Sequence, residues 1–92
     1  MALWFWYDPA LQALHIDKHG VNDREVSEAL EDLELEWAGD AGARRAIGRT
    51  AEGRHLLVVF RRERTDSFVL TARAPSNAEL KAHRRRLRRK PR

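Results

Sequence analysis

Three apolar segments separated by short polar turns fill the second half of the chain and restrict its fold more than any other feature. Their sequences are RRAIGRT (44–50), HLLVVF (55–60) and FVLTAR (68–73), and the turns between them are AEGR and ERTDS. The middle segment is apolar at consecutive positions, which is typical of a central strand with both faces covered. The sequence therefore predicts an antiparallel three-stranded meander.

The N-terminal part is predicted to form a strand and then a helix. The aromatic run LWFWY (3–7) has strand character, and Asp8-Pro9 is typical of a helix N-terminus. A glycine at position 20 is typical of a helix end, so HIDKHGV (15–21) is predicted to be the last turn of this helix. Its two histidines then stand four residues apart on one surface.

Two capping boxes mark the starts of two further helices. Asn22 with Glu25 opens the first of them, and Ser76 with Glu79 opens the second. Between them, LELEW (33–37) alternates like a strand with one wet face. These elements predict one α+β domain over residues 1–87, with a short N-terminal strand and two helices packed on an antiparallel sheet, followed by a C-terminal basic helix. Residues 88–92 are predicted to be a basic, disordered tail.

Charge is divided unevenly along the chain. Residues 81–92 hold eight basic and no acidic groups, whereas residues 23–40 hold eight carboxylates and one arginine. Such zoning is typical of a protein with a side that faces a polyanion, although a solvated acidic helix and a solubilising tail explain it equally well. The chain has no cysteine, no apolar run of membrane-spanning length and no secretion signal, so a cytoplasmic protein is expected.

The simplest hairpin registers place many cationic side chains on one sheet face. In these registers Arg49 pairs with His55, and Val59 pairs with both Arg45 and Thr71. Side chains alternate along a strand, so the predicted core face carries Ala46, Leu56, Val58, Phe60, Phe68, Leu70 and Ala72. The opposite face carries Arg45, Arg49, His55, Leu57, Val59, Arg61, Thr71 and Arg73. The second set either holds a phosphodiester over a small apolar floor or is a solvated sheet face.

Several short motifs, in their order along the chain, resemble those of one protein family. They are WYDPA, KHGV, a negatively charged helix, R-x-x-G-R-T-x-x-G-R-x-L, TAR and a Glu-led terminal helix. Together these motifs, which span about residues 4–86, resemble the BrnT-type toxins, small RelE-like ribonucleases of type II toxin–antitoxin pairs. The resemblance implies metal-independent cleavage of RNA, inhibition of growth through translation, and neutralisation by a BrnA-like antitoxin. It also implies that DNA is contacted only through the antitoxin.

The resemblance assigns catalysis to Lys18, Arg45 and Arg73, with help from the terminal helix. This chain departs from the family pattern at Arg44, where an acidic residue is usual, and in the terminal helix. That helix has Leu80 and His83 where the family has an arginine and a tyrosine, so His83 is the fourth catalytic candidate. The remaining candidates are substrate-binding residues: Arg49, His55, Arg61, Thr71, Arg84 and Arg85.

The chemistry of these residue types fits a phosphodiester substrate. Metal-free RNA cleavage needs a base, an acid, and cations on the phosphorane. Arginine gives phosphate oxygens fixed, forked donors, and histidine exchanges protons near neutral pH. No metal or cofactor is expected, since the pair His15 and His19 lacks the pattern of a zinc protease. The alternative to a ribonuclease is a non-catalytic RNA-binding module, or a decayed toxin, that uses the arginine face and the tail.

Overall fold

The computed structural model describes residues 3–10 and 13–89, which form a small α+β fold with a mixed five-stranded sheet and two α-helices. The strands are β1 (Leu3–Phe5), β2 (Tyr7–Asp8), β3 (Ala13–Leu14), β4 (Leu33–Ala38), β5 (Arg44–Arg49), β6 (His55–Glu63) and β7 (Asp66–Arg73). The strand order in the five-stranded sheet is β1-β7-β6-β5-β4, and β2 and β3 form a separate two-stranded ladder. The helices are α1 (Asp23–Glu31) and α2 (Asn77–Arg89).

The predicted meander is confirmed, including its registers. Arg49 pairs with His55, Leu57 with Arg73, and Val59 with both Arg45 and Thr71. The turn between β5 and β6 fixes the first register: Thr50 N–H donates to the Arg54 carbonyl, and its hydroxyl accepts from Arg54 N–H. Gly53 supplies the left-handed backbone, φ +87°, that this turn requires. Local turn chemistry therefore sets which side chains share a face.

A β-bulge corrects one part of the predicted core face. The β6–β7 register shifts between Val59 and Phe60, so that Phe60 pairs with Val69 and Leu70 is the extra residue. The shift carries Val69 into the buried core and leaves Phe68 and Leu70 only partly buried, contrary to the prediction. The core face consists of Ala46, Leu56, Val58, Phe60, Val69 and Ala72.

The predicted helix over Pro9–Gly20 is wrong. Tyr7–Asp8 and Ala13–Leu14 pair as antiparallel strands instead, and a short 3₁₀ helix, His15–His19, follows them. The backbone finds partners elsewhere in the fold, because Trp6 N–H donates to the Val69 carbonyl and His15 N–H to the Trp6 carbonyl. So short an isolated helix is marginal in water, and these tertiary pairings replace it. Leu11 lies outside the described residues.

The sheet is mixed, whereas the sequence predicts a wholly antiparallel one. Strand β1 runs parallel to β7, pairing Leu3 with Ser67 and Phe5 with Val69. This arrangement directs Leu3 and Phe5 toward the buried core and leaves Trp4 exposed. The N-terminal strand itself is confirmed, although it ends at Phe5.

Helix α1 covers the core face. Its predicted capping box is present, since Glu25 N–H donates to the Asn22 side chain and Asn22 N–H donates to Glu25. The helix buries Val26 and Ala29 against the sheet. Gly48 on β5 makes this approach possible, because a Cβ there would overlap the carbonyl oxygen of Ala29. Close helix–sheet packing therefore depends on a glycine at position 48.

Helix α2 lies against the opposite face, which we call the α2 face. Its predicted capping box is also present, with Ser76 N–H donating to Glu79 and Glu79 N–H donating to the Ser76 hydroxyl. The helix continues to Arg89, two residues into the predicted tail, and residues 90–92 lie outside the described residues. Beneath it Ile47 and Leu57 are each 1% exposed. Within the described residues neither helix has the length and apolar character to cross a bilayer.

We expect Gly48→Ala to destabilise the fold by about 2–3 kcal/mol, because the added methyl group must push α1 away from β5. Gly42→Ala is the control. An added Cβ there would meet open space, so the only cost is that of an alanine in a left-handed backbone (φ +78°), about 1 kcal/mol. Urea unfolding of both variants measures the difference. Equal losses of stability would contradict the packing role of Gly48.

Candidate functional site

The carboxylate of Glu34 is the centre of a polar cluster on the α2 face. Its Oε1 atom lies 2.9 Å from Nε2 of His55 on β6 and 2.9 Å from Nε2 of His83 on α2. Its Oε2 atom lies 3.1 Å from Nε of Arg49 on β5. One acidic side chain of β4 therefore joins two other strands and the terminal helix.

An irregularity in β4 directs Glu34 to this face. Strict alternation in LELEW would put Glu34 and Glu36 on the same side. The β4–β5 register shifts between Leu33 and Leu35, and the two carboxylates face opposite sides as a result. Glu36 pairs with Arg44 and Arg62 on the other side of the sheet. The shift thus separates the Glu36 ion pairs from the histidine cluster.

The hydrogen-bond pattern assigns the protons of both imidazoles. Glu34 Oε1 has two lone pairs and accepts one bond from each histidine, so each Nε2 carries a proton. Arg49 Nε also lies 3.3 Å from His55 Nε2, but an N–H group cannot donate to a protonated nitrogen. Because the charged carboxylate is the stronger acceptor, we assign this N–H to the ion pair with Glu34 Oε2, 3.1 Å away. Neutral His55 therefore keeps Nδ1 as its basic nitrogen.

Glu34 is held in its ionised form. Burial is the largest single influence and raises its pKa, but the hydrogen bonds from His83 and His55 oppose it. Together with the charges of His55 and Arg49, these bonds bring the pKa of Glu34 below its ordinary value. The cluster therefore has a fixed negative charge at its centre and positive or neutral donors around it.

Solvent reaches only part of the cluster. The side chains of Glu34, His55 and Arg49 are 23%, 26% and 48% exposed, whereas that of His83 is 3% exposed. The Nδ1 atom of His83 is also buried and has no hydrogen-bond partner. In this arrangement the catalytic candidate His83 does not face solvent, and it orients Glu34 instead. His55, proposed from the sequence only as a binding residue, is the accessible imidazole.

Arg73 is attached to the first turn of α2. Its Nη1 and Nη2 atoms lie 2.7 and 3.0 Å from the two carboxylate oxygens of Glu79, in a forked pair. The Arg73 hydrogen bond is the strongest influence on the pKa of Glu79, which falls to about 2 despite partial burial. Arg73 pairs with Leu57 and is thus a diagonal neighbour of His55, with Cα atoms roughly 7–8 Å apart. The forked pair fixes the guanidinium between the end of β7 and the first turn of α2.

Lys18 lies on the exposed side of the 3₁₀ helix that packs beside β7. Its neighbour His19 senses a cationic environment: burial, then the charges of His15, Lys18 and Arg73, lower the pKa of His19. His15 and His19, considered as a metal pair from the sequence, pack edge to face with ring centroids 5.4 Å apart. Lys18 and the guanidinium of Arg73 therefore place two cations near His19.

Three of the predicted site residues lie apart from the Glu34 cluster. The Arg45 side chain extends over Gly39, and Arg61 is exposed opposite Phe68. The hydroxyl oxygen of Thr71 is buried without a partner, so it does not face a substrate. Helix α2 covers the predicted apolar floor between the arginines. The arginines expected around one floor therefore lie at two separate ends of the sheet.

The basic helix adds cations at the surface. Arg84 and Arg85 are exposed on α2, as a polyanion-binding role requires. Arg86 stacks over Trp37, with its guanidinium carbon 5.5 Å from the ring centroid. Trp37 and Arg86 line one side of a small pocket. Its other lining residues are Leu35, Ile47, Glu79, Ala82 and His83.

Sequence reasoning misses the central residue of the cluster. It groups Glu34 with the solvated carboxylates of an acidic stretch, because no pattern in LELEW marks the register shift. It identifies Glu79 as a capping residue, whereas the pairing of Glu79 with Arg73 across a turn needs the three-dimensional path of the chain. The position of His55 on this face is predictable, because its register with Arg49 follows from the turn.

One group among the described residues has the donors to hold a metal ion. It consists of Glu34, His55 and His83, and one ligand atom from each lies within 4.8 Å of the others. Two imidazole nitrogens and a carboxylate oxygen are ligands that suit zinc and other first-row transition metals. The same atoms can therefore serve either proton exchange or metal coordination.

Comparison of the chain with protein-family models, curated proteins and solved structures gives no match in any of the three. The fold is therefore defined by its own architecture, an α+β domain with a mixed five-stranded sheet. What the cluster does must follow from its own chemistry, together with the motif resemblance.

The Arg73–Glu79 pair predicts a specific dependence of stability on pH. Because the folded-state pKa of Glu79, about 2, is below the ordinary 4.5, its contribution is present above pH 4.5 and is lost as the pH falls toward 2. The two side chains are 29% and 38% exposed, so solvent screening limits this contribution to about 1 kcal/mol. Glu79→Gln should therefore be less stable than the wild type at pH 7 and nearly equal to it at the acid end.

Urea unfolding at several pH values checks this expectation, with Glu31→Gln on α1 as the control. Glu31 is an exposed helical glutamate, and its replacement should change stability by less than about 0.5 kcal/mol throughout. A stability gap for Glu79→Gln that stays constant down to pH 2.5 would contradict the assigned role of the pair.

Proposed function

We propose that this chain is a metal-independent endoribonuclease with a RelE-like fold, and that it is the toxin of a type II toxin–antitoxin pair. The observation that supports this most is the accessible imidazole of His55, whose tautomer is fixed by an ionised carboxylate and which has the guanidinium of Arg49 beside it. Metal-free cleavage of RNA needs this combination of a base and phosphate-binding cations. The motif resemblance to BrnT-type toxins supports the same class independently of the side-chain geometry.

The reaction begins with His55. Its Nδ1 atom takes the proton of a ribose 2′-hydroxyl, and the freed oxygen attacks the adjacent phosphorus. The bond from phosphorus to the 5′-oxygen then breaks, which yields a 2′,3′-cyclic phosphate and a 5′-hydroxyl end. Glu34 stabilises the resulting imidazolium through Nε2, and His83 holds Glu34 in place. Lys18, which is exposed on the 3₁₀ helix, is assigned to give a proton to the leaving oxygen.

Arginines stabilise the charge of the phosphorane. Arg49 borders His55 directly and is half-exposed, so it can contact a phosphate oxygen without leaving the cluster. Arg73 uses both terminal nitrogens on Glu79, but its Nε–H and one Nη2–H are not used in the contacts described. A guanidinium held this way needs no reordering to bind phosphate, which favours the transition state. Arg45 lies too far along the sheet to share this phosphate.

The exposed aromatic residues of the N-terminal segment support the antitoxin half of the proposal. Trp4, Trp6 and Tyr7 are 57%, 41% and 53% exposed, and they follow one another at the β1 end of the sheet. Large exposed aromatic side chains are typical of protein interfaces. We assign this surface to a BrnA-like antitoxin, and the cytoplasm is the compartment in which toxin, antitoxin and RNA would meet.

A second candidate is an RNA-binding protein without catalysis. The observation that favours it is the placement of Arg84 and Arg85 on the surface of α2. RNA held by these arginines need not enter the cluster. The two candidates differ in whether His55 matters once RNA is bound.

Catalysis is tested by controlled expression of the chain and by cleavage of single-stranded RNA in the presence of a chelator. His55→Gln should lower the cleavage rate by about 10²–10⁴, because the base is removed. Arg49→Ala should lower it by about 10²–10³, because a hydrogen-bond donor to the phosphorane is removed. Both variants should also relieve any arrest of growth while remaining folded.

Arg62→Ala is the matched control, because Arg62 is an arginine of β6 on the other side of the sheet, paired with Glu36. Its cleavage rate should equal that of the wild type. If folded wild-type protein neither cleaves RNA nor arrests growth, or if His55→Gln cleaves normally, the ribonuclease proposal is wrong.

RNA affinity separates the basic helix from the cluster. Replacing Arg84 and Arg85 by alanine should weaken binding and reduce the slope of log affinity against log salt by about 0.7 for each phosphate that the variant no longer neutralises. Arg24→Ala on α1, an exposed arginine beyond the core face, should leave the slope unchanged. Filter binding of a short single-stranded RNA over a range of salt concentrations measures this. An unchanged slope for the double variant would exclude α2 from the RNA-binding surface.

A further inference from the structure

Three potential metal ligands from separate parts of the chain meet at one point of the cluster. They are Oε1 of Glu34 on β4, Nε2 of His55 on β6 and Nε2 of His83 on α2, and both histidine contacts to the carboxylate oxygen measure 2.9 Å. We propose that these three residues form a site for a divalent transition-metal ion such as Zn²⁺, and that an ion bound there switches off the ribonuclease. The inhibitory half of this proposal rests on the proposed function, whereas the binding half does not.

The spacing of the ligand atoms fits a small ion. Zinc bonds to nitrogen and oxygen are about 2.0–2.1 Å long, so two ligands of a tetrahedral site lie about 3.3 Å apart. The present nitrogen-to-oxygen separations of 2.9 Å therefore need to open by a few tenths of an ångström, and the two imidazole nitrogens, within 4.8 Å of each other, must reach the same spacing. His55 and Glu34 are partly exposed and can make this adjustment, while buried His83 provides the fixed position.

The set of ligands is a favourable one for such an ion. Two neutral imidazoles and one carboxylate form a three-ligand site that leaves a further coordination position for water. Glu34 supplies the anionic ligand, and its Oε1 atom already contacts both imidazole nitrogens. The three ligands come from elements that the fold has already brought together, which reduces the ordering that binding requires.

Two features of the site limit its affinity. Arg49 lies 3.3 Å from His55 Nε2 and must withdraw from the cation, which its half-exposed side chain permits. The proton of each imidazole must also move from Nε2 to Nδ1 when Nε2 binds the ion. In His83 that Nδ1 atom is buried without a partner, and metal-binding histidines normally have an acceptor there. We therefore expect micromolar rather than nanomolar dissociation constants.

Inhibition follows from the same proton shift. With the ion on Nε2, the Nδ1 atom of His55 carries a proton and cannot accept one from a 2′-hydroxyl group. The carboxylate of Glu34 is also taken from its role in stabilising the imidazolium. A metal ion and an active base therefore exclude each other at His55.

The binding test uses the full chain, freed of metal by a chelator and then dialysed. Titration with Co²⁺ alone should give the visible absorption of a four- or five-coordinate site at a 1:1 ratio, and Zn²⁺ should displace it. Glu34→Gln and His55→Gln should each weaken binding by at least about tenfold. Circular dichroism checks that both variants are folded.

The double variant His15→Gln/His19→Gln is the matched control. It removes as many imidazoles as the site contains and leaves the site intact, so Co²⁺ binding should be unchanged. The proposal is overturned if Co²⁺ fails to bind at millimolar concentration. It is also overturned if binding survives His55→Gln or disappears in the double variant.

RNA cleavage separates this proposal from the proposed function. We expect cleavage in the presence of a chelator and its loss when Zn²⁺ fills the site, with restoration by the chelator. If Co²⁺ binds as described but the folded protein never cleaves RNA, the metal site stands and the ribonuclease does not. Cleavage that continues at saturating Zn²⁺, or that requires it, would overturn the inhibitory half.

Discussion

The rest of the α2 face depends on the contacts that the carboxylate of Glu34 makes with Arg49, His55 and His83. A carboxylate withdrawn from water is costly unless several donors replace its hydration. Here Arg49, His55 and His83 provide them from β5, β6 and α2. Each donor is in turn held by the same group, so the helix and the two strands share one polar anchor. Loss of Glu34 would release both imidazoles and one of the ties that hold the helix, the other being the Arg73–Glu79 pair.

This anchor, with the Arg73–Glu79 pair, explains why α2 lies across the sheet rather than extending from it. Glu79 fixes the first turn of the helix to the end of β7, and His83 fixes the next turn to β4. Between these ties the helix buries Ile47 and Leu57, so the middle of the sheet is closed to a substrate. The chemistry is thereby confined to the margin where Glu34, His55 and Arg49 remain open to solvent.

Most of the sheet and part of the site could be predicted from the sequence, because they depend on local rules. Turn residues set the pairing of Arg49 with His55 and of Leu57 with Arg73, and two capping boxes mark both helices. The predictions that fail concern features that depend on tertiary structure. Neither bulge has a signature in composition, yet one moves Val69 into the core and the other turns Glu34 toward the histidines. The Asp8-Pro9 signal is a valid local preference that pairing in the fold overrides.

The protonation of the two imidazoles is the most direct test of this account. Long-range ¹H–¹⁵N NMR of the wild-type protein distinguishes the two ring nitrogens of each histidine. We expect the neutral rings of His55 and His83 both to carry their proton on Nε2. Glu34→Gln should alter the signals of both rings while those of His15 and His19 stay unchanged. A proton on Nδ1 in both rings, or signals that do not respond to Glu34→Gln, would contradict the central role of this carboxylate.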